Sequence, residues 1–314
     1  MSENPALPTV TQMQHELSAL TTERVDSGLR DLDTFSTERM LRVMNTLDHE
    51  VPDAVEQAIP VITAAVDDIV GRLSEGGRLI YIGAGTPGRL GVLDASECPP
   101  TFNTDPGMVH GVIAGGDGAI RTSVEGAEDD ADAGAADLAG LALTELDTVT
   151  GISASGRTPY VLGALQYARS IGALTISIAC NSGSAIGAVA DHAIDVVVGP
   201  ELIAGSTRLR AGTAQKLVLN MLSTATMVRL GKTYGNVMVD LRASNQKLRA
   251  RSRRAVTLIT GASESDAARA LEATGGSAKE AALVLMRGLS PQEAHSRLTR
   301  TPSLRQVLRD TLPR

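Results

Sequence analysis

The sequence predicts an α/β fold in which a five-stranded parallel sheet lies between two layers of helices, followed by a small all-helical module. Five short, continuously apolar runs alternate with helical stretches, and such runs are typical of parallel strands covered on both faces. Hydrophobic residues make up 43% of the chain but aromatic residues only 2%, so we expect an aliphatic core. Residues 264–312 instead contain three or four short helical patterns.

The alternation places five strand ends along one edge of the predicted sheet. The predicted strands lie at 78–83, 109–113, 147–153, 174–179 and 194–198, with helices near 88–97, 117–140, 159–171 and 184–190. Parallel strands joined by right-handed crossovers present their carboxyl ends at the same edge, where ligands bind. The segments at these ends read GAGTPG, AGGDG, SASGRT, CNSGS and GPELIAGSTR. Because all five are rich in Gly, Ser or Thr, we predict one polar site along that edge.

Three regions are predicted along the chain: a flexible arm over 1–30, the sheet domain with flanking helices over 31–250, and the helical module over 262–314. Within the sheet domain, a helix over roughly 52–75 should kink at Pro60, and a long helical stretch should cover 207–248. In the module, Ser277 and Ser290 are predicted N-caps, because each has a glutamate three residues on.

Composition argues against several classes of protein. A net charge of −7 does not supply the cationic surface that nucleic-acid binding requires. No apolar run approaches the length of a membrane span, and the N-terminus lacks the basic and apolar regions of a secretory signal. The cysteines, Cys98 and Cys180, and the scattered histidines have no disulfide or metal-ligand spacing. We therefore expect a cytoplasmic protein that binds no nucleic acid, membrane or metal.

The segment SASGRT is the clearest signal for phosphate binding. Ser153, Ser155 and Thr158 place three hydroxyls at a strand end around Gly156, and Pro159 starts a helix directly after them. Hydroxyls and the N-terminal amides of a helix can hold an anion without a net positive charge. Taken alone, the segment also fits an ordinary helix N-cap, and the other polar loops at the same edge favour the phosphate site.

The segment GAGTPGRLG, residues 83–91, is a weaker signal. Its glycines, among them Gly85, allow positive φ and close approach of a ligand to the backbone, and Thr86 adds a hydroxyl. Pro87 fits the first turn of a helix, where its missing N–H costs little. The segment is not a dinucleotide fingerprint, because no acidic residue follows the second strand at the required distance. A tight strand–helix turn without a ligand is the alternative.

Two acidic segments supply candidates for acid–base chemistry. In DASECPP, Glu97 is predicted at the C-terminal end of a helix, where the negative end of the macrodipole favours an acid-competent carboxyl. Asp94, one turn earlier, is the alternative. In EGAEDD, Glu125 and Glu128 are predicted on one face of a helix, and a solvated acidic surface is the competing interpretation.

The segment GSTRLRAGTAQK opens a long predicted helix and supplies hydroxyl and basic groups. Ser206 precedes Arg208, Arg210 and Lys216, and a basic side chain there can pair with a phosphate or a carboxylate. The same residues fit charges on a helix surface equally well.

Together these segments resemble one family. GGRLIYIGAGTPGRLGVLDASECPPTF, VEGAED, ASGRTPYV, GSTRLRAGTAQKLVLNMLSTATM and YGNVMVDLRASNQKL are similar, in order and spacing, to the N-acetylmuramic acid 6-phosphate etherases. The resemblance runs from around Thr22 to the C-terminus. It implies a three-layer sugar isomerase (SIS) domain followed by a ubiquitin-associated-like helical module.

The resemblance also implies an activity and a set of site residues. Members of the family are carbon–oxygen lyases that cleave the D-lactyl ether of N-acetylmuramic acid 6-phosphate in peptidoglycan recycling. They are homodimers with residues of both subunits near the site, and no metal or organic cofactor is expected. The family's proposed catalytic glutamates fall at Glu97 and Glu128. The expected substrate-binding residues are Gly85, Thr86, Ser153, Ser155, Gly156, Arg157, Thr158, Ser206 and Lys216.

Among the positions at which the chain departs from the family, two lie in the GAGTPG and SASGRT loops. Pro87 stands where the family usually has serine, and Ser153 where it usually has alanine, so we hypothesise that the Ser153 hydroxyl compensates in the phosphate or sugar-hydroxyl network. Two other functions fit the residues: a phosphosugar isomerase on the same fold, and a sugar-phosphate-sensing regulator without catalysis. The pair Glu97 and Glu128 favours the ether-cleaving enzyme.

Overall fold

The described part of the chain is built around a five-stranded parallel sheet. The computed structural model describes residues 20–240 and 246–310. The strands are β1 (Leu79–Gly83), β2 (Val109–Ile113), β3 (Thr148–Ile152), β4 (Leu174–Ala179) and β5 (His192–Asp195), in the order β2-β1-β3-β4-β5. The predicted fold class and its five strands are confirmed, but β5 covers His192–Asp195 rather than 194–198.

Helices alternate with the strands and continue along the chain after β5. They are α1 (Thr37–Asp48), α2 (Glu50–Gln57), α3 (Ile59–Ser74), α4 (Gly85–Phe102), α5 (Ala131–Gly140), α6 (Pro159–Ile171), α7 (Ala185–Val189), α8 (Arg210–Arg229), α9 (Gln246–Thr260), α10 (Glu264–Ala273), α11 (Ala278–Arg287), α12 (Pro291–Arg300) and α13 (Leu304–Asp310). Within residues 20–240 and 246–310, no helix has both the length and the apolar composition that membrane crossing requires.

The alternation of side chains along the central strands explains the two helical layers. Successive side chains of a strand point to opposite faces of the sheet. Ile80 and Val149 therefore pack into one core cluster with Leu165 of α6. On the other face, α4 lies so close to β1 that a Cβ at Gly91 would meet the Tyr81 Cβ at 2.8 Å. The sheet is thus covered on both sides, as its continuously apolar strands predict.

Helix α4 runs further than the sequence predicts, and this changes the position of Glu97. The sequence places the helix end near 97, but α4 continues through Pro99 and Pro100 to Phe102. A proline keeps a φ that fits a helix and loses only its own N–H donor, and Asn103 N donates to Pro99 O over 3.0 Å. The helix ends where Asn103 takes a left-handed φ of 51°. The helix-end argument for the acidity of Glu97 is therefore wrong.

The acidic segment between β2 and β3 is not the single helix predicted over 117–140. Two short 3-10 helices, Asp117–Ile120 and Ala127–Asp129, precede α5, which is the α-helical part of the segment and is capped by Asp130. Gly126 has a φ of +73°, a left-handed conformation that interrupts a helix. Glu125 and Glu128 therefore lie on either side of a turn and not on one helical face, so that prediction is wrong.

Two further helix predictions need correction. Pro60 lies in the first turn of α3, where its missing N–H is tolerated, so it begins a helix instead of kinking one. The stretch over 207–248 contains α8 and then a short antiparallel hairpin, β6 (Thr233–Tyr234) and β7 (Val237–Met238). Gly231, with a φ of +76°, lies just past the end of α8, where a left-handed glycine commonly stops a helix.

The described residues form two compact units, 20–93 with 111–221 and 94–110 with 222–310. The division into an arm, a sheet domain and a helical module stays a prediction. Residues 1–19 of the predicted arm and 241–245 of the predicted long helix lie outside the described residues. In the second unit, the side chains of Ser277 and Ser290 accept from the N–H groups of Glu280 and Glu293, which confirms both predicted caps.

An ion pair fixes the amino ends of β1 and β3. The Asp147 carboxylate is 1% exposed and accepts from Arg78 N, Nε and Nη2 at 2.8, 3.0 and 2.7 Å and from Thr144 N at 2.8 Å. Burial alone would raise the pKa of Asp147. The hydrogen bonds from Arg78 and Thr144 outweigh burial, so the pKa lies below its usual value.

Replacing Asp147 with alanine should lower the free energy of unfolding by about 3 kcal/mol near pH 7, because Arg78 and the Thr144 N–H lose their acceptor. The folded-state pKa is the lower one, so this stabilisation is present above the unfolded pKa of about 3.9 and is lost as pH falls through the folded pKa. Urea unfolding of wild type and variant over this pH range measures both effects. Glu38→Ala, which breaks an exposed pair with Arg42, is the control and should cost under ~1 kcal/mol. A gap between wild type and D147A that stays constant in acid contradicts this account.

Candidate active site

The SASGRT loop leaves β3 and closes on itself through its hydroxyl groups. Ser153 Oγ lies 2.7 Å from Thr158 Oγ1 and 3.3 Å from Ser155 Oγ, and it accepts from Gly156 N at 3.0 Å. Ser155 Oγ accepts from Arg157 N at 3.3 Å. Ser153 is buried, Ser155 and Thr158 are half-buried, and Arg157 is exposed. The loop therefore keeps two hydroxyls accessible, while the buried Ser153 holds them in place.

Gly156 is the position at which this loop contacts the next one. Its φ is +72°, and a Cβ there would lie 2.3 Å from the Cβ of Ser184. Its carbonyl accepts from Ile186 N at 3.1 Å. Only glycine satisfies both the backbone conformation and this close approach.

Helix α6 begins directly behind the loop. Thr158 is its N-cap residue and Pro159 its first residue, but the Thr158 side chain makes no cap hydrogen bond, because its hydroxyl is bonded to Ser153. The N–H groups in the first turn of a helix have no intrahelical acceptors and carry partial positive charge. The loop hydroxyls and this helix end together fit a small anion such as a phosphate group.

The GAGTPG turn is equally tight. A Cβ at Gly88 would lie 2.6 Å from Gly83 O, so α4 starts in direct contact with the end of β1. Gly85 opens the helix with a φ of +58°, Thr86 is half-buried and Pro87 is buried. Pro87 is the third residue of α4, within the first turn, where its missing N–H removes one donor that an anion could have used.

A cavity of about 170 Å³ adjoins this turn. Gly85 and Arg89 line it together with the acidic segment that carries Glu125 and Glu128. Arg89 Nε and Nη2 donate to Ala119 O at 3.1 and 2.9 Å, which fastens that segment to α4. The structure thus brings Gly85 and Glu128 to one cavity, whose lining holds two carboxylates and one guanidinium.

Glu97 and Glu128 are both exposed, and they belong to different compact units: Glu97 to the second and Glu128 to the first. The shared role of the two glutamates stays a prediction. Among residues 20–240 and 246–310, no group of three His, Cys, Asp or Glu side chains is arranged to hold a metal ion.

Buried charges anchor the segment before α8. The Glu201 carboxylate is 1% exposed and accepts from Arg210 N at 2.9 Å and Ala211 N at 3.0 Å. Burial raises the pKa of Glu201, although these hydrogen bonds act in the opposite direction. The Arg210 guanidinium donates to Pro200 O at 2.9 Å and to Glu50 Oε2 at 2.6 Å. The guanidinium of Arg210, a basic candidate from the sequence, is therefore held by contacts within the fold.

The remaining candidates from this segment lie before and within α8. Ser206 is half-buried in the turn before α8, and Lys216 is half-buried within the helix. Arg208 is exposed. Ser206 and Lys216 stay predicted substrate-binding residues.

Asn181, which the sequence patterns do not single out, links the site loops to the predicted arm. Its Oδ1 accepts from Thr21 N at 2.7 Å, and its Nδ2 donates to Thr22 Oγ1 at 3.2 Å and to Ala154 O at 3.0 Å. Thr22 is fully buried, and its carbonyl accepts from Gly205 N at 3.2 Å. The only sequence signal for these contacts is the polar CNSGS segment after β4.

Comparison with known proteins identifies relatives of this site and fold. Residues 61–169 match the glucokinase regulatory protein N-terminal SIS domain, and residues 131–225 match the SIS domain. The chain is 61% identical over 277 residues to the N-acetylmuramic acid 6-phosphate etherase of Streptomyces avermitilis, covering 88% of this chain and 89% of the relative. The chain belongs to the N-acetylmuramic acid 6-phosphate etherase family.

Other members of this etherase family are nearly as similar. The Streptomyces coelicolor etherase is 60% identical over 286 residues, or 91% of either chain. The Caldanaerobacter subterraneus etherase is 55% identical over 282 residues, or 90% of this chain and 92% of the relative. The etherase family and the SIS fold that the sequence predicts are thereby confirmed.

Gly156→Ala should destabilise this family member by about 3 kcal/mol, because the new Cβ adds a steric clash to the strain of a left-handed residue. Gly183→Ala is the matched control, since Gly183 has a φ of +64° but open space around its Cβ position. The control should cost only about 1 kcal/mol. Urea unfolding of both variants measures the difference, and equal costs would contradict the contact with Ser184.

Proposed function

We propose that this protein cleaves the D-lactyl ether of N-acetylmuramic acid 6-phosphate and releases N-acetylglucosamine 6-phosphate and D-lactate in peptidoglycan recycling. The observation that carries the proposal is the 61% identity to a relative named for this activity, over 88% of the chain. The polar loops along the carboxyl edge of the sheet, with acceptors and donors for a small anionic sugar, support it.

The reaction proceeds through the open-chain aldehyde form of the sugar. The proton on C2 is acidic because it lies next to the aldehyde, and the lactyl oxygen is bonded to C3. A base removes the C2 proton, the C3–O bond breaks, and an acid protonates the departing lactate oxygen. Water then adds to C3 of the unsaturated aldehyde and a proton returns to C2. One water is consumed for each ether that is cleaved.

The phosphate group anchors the substrate. The half-buried hydroxyls of Ser155 and Thr158 and the first turn of α6 supply donors for its oxygens. Gly156 and Arg157 lie between these hydroxyls, and Arg157 contributes a nearby positive charge. Binding energy gained at this remote group holds C2 and C3 in register with the acid and the base.

The other expected contacts surround the sugar. Gly85 and Thr86 shape the pocket beside the cavity that Glu128 lines. Ser206 and Lys216 contribute a hydroxyl and a positive charge from the segment that Glu201 anchors. Lys216 suits the lactyl carboxylate or the phosphate as a point charge.

Glu97 and Glu128 provide the two acid–base groups. General acid–base catalysis by a positioned carboxyl contributes about 10²–10⁴-fold to a rate, and this elimination needs one group for C2 and one for the lactate oxygen. The place of Glu128 in the cavity with Gly85 supports its role. The assignment of Glu97 rests on the family resemblance, and either residue can serve either proton.

The proposal includes a homodimer in the cytoplasm with residues from both subunits near each site. Ile120 and Val124 support the dimer, because both are exposed apolar side chains in the segment that carries Glu125 and Glu128. A second copy would cover them. Cys98 and Cys180 are both buried and form no disulfide within the described residues, which fits a reducing compartment.

Glu128→Gln and Glu97→Gln should each lower the rate of D-lactate release by at least about 10²-fold, because a carboxamide cannot exchange a proton. Glu125→Gln is the matched control for Glu128, since it lies in the same cavity lining. An enzymatic assay for D-lactate, with the sugar product identified by mass, measures the rates. Sugar-phosphate isomerisation without lactate would indicate an isomerase, binding without turnover would indicate a regulator, and either result contradicts the proposal.

Ser153→Ala should raise KM about fivefold and leave kcat nearly unchanged, because the loss of a net ~1 kcal/mol hydrogen bond loosens the phosphate loop and not the acid–base groups. Ser170→Ala is the control, since Ser170 is exposed and its hydroxyl donates to Tyr167 O. Steady-state kinetics of lactate release separate the two parameters. An unchanged KM in S153A contradicts a role of this hydroxyl in substrate affinity.

A further inference from the structure

A second cavity lies in the second compact unit, and none of the residues that line it is proposed for the ether cleavage. It has a volume of about 340 Å³ and lies between α9 and α10. Small-molecule sites occupy about 300–1,000 Å³, so the cavity is large enough for a small metabolite. Its polar lining consists of Arg249, Ser252, Arg253 and Glu272, and two glycines complete one side.

Two guanidinium groups dominate the charge of this cavity. Arg249 and Arg253 are four residues apart on α9, so they project from the same face of the helix. Both are exposed, and neither forms an ion pair within residues 20–240 and 246–310. Two arginines without a carboxylate partner at one cavity are suited to a dianionic group.

Ser252 supplies an independent indication of a ligand. It lies between the two arginines in sequence, lines the cavity and is 1% exposed. Its hydroxyl makes no hydrogen bond in the described part of the chain. A helical serine or threonine can donate to the carbonyl four residues earlier, as Thr260 does to Val256 O on the same helix, whereas Ser252 and Thr257 do not. A buried hydroxyl without this bond is costly unless a bound group satisfies it.

The opposite wall completes the binding chemistry. Glu272 of α10 offers carboxylate oxygens that accept from a hydroxyl or an amine. Gly275 and Gly276, with φ values of +62° and +89° and no atom within 4 Å of either Cβ position, leave open backbone at which a ligand can approach closely.

We propose that the cavity between α9 and α10 binds a small phosphate monoester that also carries a hydroxyl or amino group. Arg249 and Arg253 hold the dianionic phosphate, Ser252 donates to one of its oxygens, and Glu272 accepts from the hydroxyl or amine. The site does not depend on the ether-cleaving activity, because it uses none of the residues proposed for it.

Hydrogen–deuterium exchange on the full-length protein tests the site. Glucosamine 6-phosphate is the probe, and glucosamine, which lacks the phosphate group, is the control. Peptides that cover 246–276 report this cavity, while peptides around 153–158 report the proposed substrate loop separately. We expect saturable protection of 246–276 by the phosphate ester and none by glucosamine. An absence of such protection in the wild type overturns the proposal, whatever happens at 153–158.

Matched double variants separate a built site from general attraction to a basic helix. Arg249→Gln with Arg253→Gln should raise the apparent Kd at 246–276 at least tenfold. Arg251→Gln with Arg254→Gln removes the same charge from exposed positions of α9 outside the cavity lining and should leave the Kd within twofold. Equal weakening by both pairs overturns the proposal.

Ser252→Ala gives a readout that a purely structural serine would not. Removal of the unpartnered hydroxyl should raise the midpoint of thermal unfolding without ligand and should weaken probe binding at least threefold. A lower midpoint together with unchanged binding would show that the hydroxyl serves the fold alone, and it would contradict the proposed contact.

Discussion

The buried hydroxyl of Ser153 is the interaction on which the candidate site depends. It meets Gly156 N, Thr158 Oγ1 and Ser155 Oγ within one loop, which uses the full bonding capacity of a serine hydroxyl. Because Thr158 is bonded to Ser153, its side chain does not cap α6, and the first turn of that helix keeps its free donors for an anion. This internal hydrogen-bond network is the basis of the phosphate site that we propose at the loop.

The loops along the sheet edge are fastened to one another as well as to their strands. Gly156 leaves no room for a side chain against Ser184, and Asn181 joins Ala154 to the chain at Thr22. The Asn181 hydrogen bonds replace water by fixed protein donors and acceptors in a buried position. Preorganisation of this kind holds a bound sugar phosphate in one orientation, which an elimination across C2 and C3 requires.

The sequence predicts features that depend on local chemistry. Apolar runs locate all five strands, and α6 begins and ends where the pattern over 159–171 places it. The sequence-based prediction fails where distant contacts or single backbone conformations determine the structure. Helix α4 continues through two prolines and ends just before Asn103, and the left-handed Gly126 interrupts the acidic segment. The role of Asn181 could not be predicted from the sequence, because its three hydrogen-bond partners belong to two segments that are distant along the chain. Local patterns therefore locate the strands and the loops of the candidate site, and tertiary contacts determine the geometry of these loops.

The central claim is that ether cleavage proceeds by removal of the C2 proton, and turnover in heavy water tests it most directly. If the proton is removed and then replaced from solvent, the N-acetylglucosamine 6-phosphate product carries deuterium at C2, and D-lactate appears in equal amount. Mass spectrometry and proton NMR of the purified product locate the label. Lactate formed with the original hydrogen retained at C2 would contradict the elimination, and deuterium at C2 without lactate would contradict ether cleavage itself.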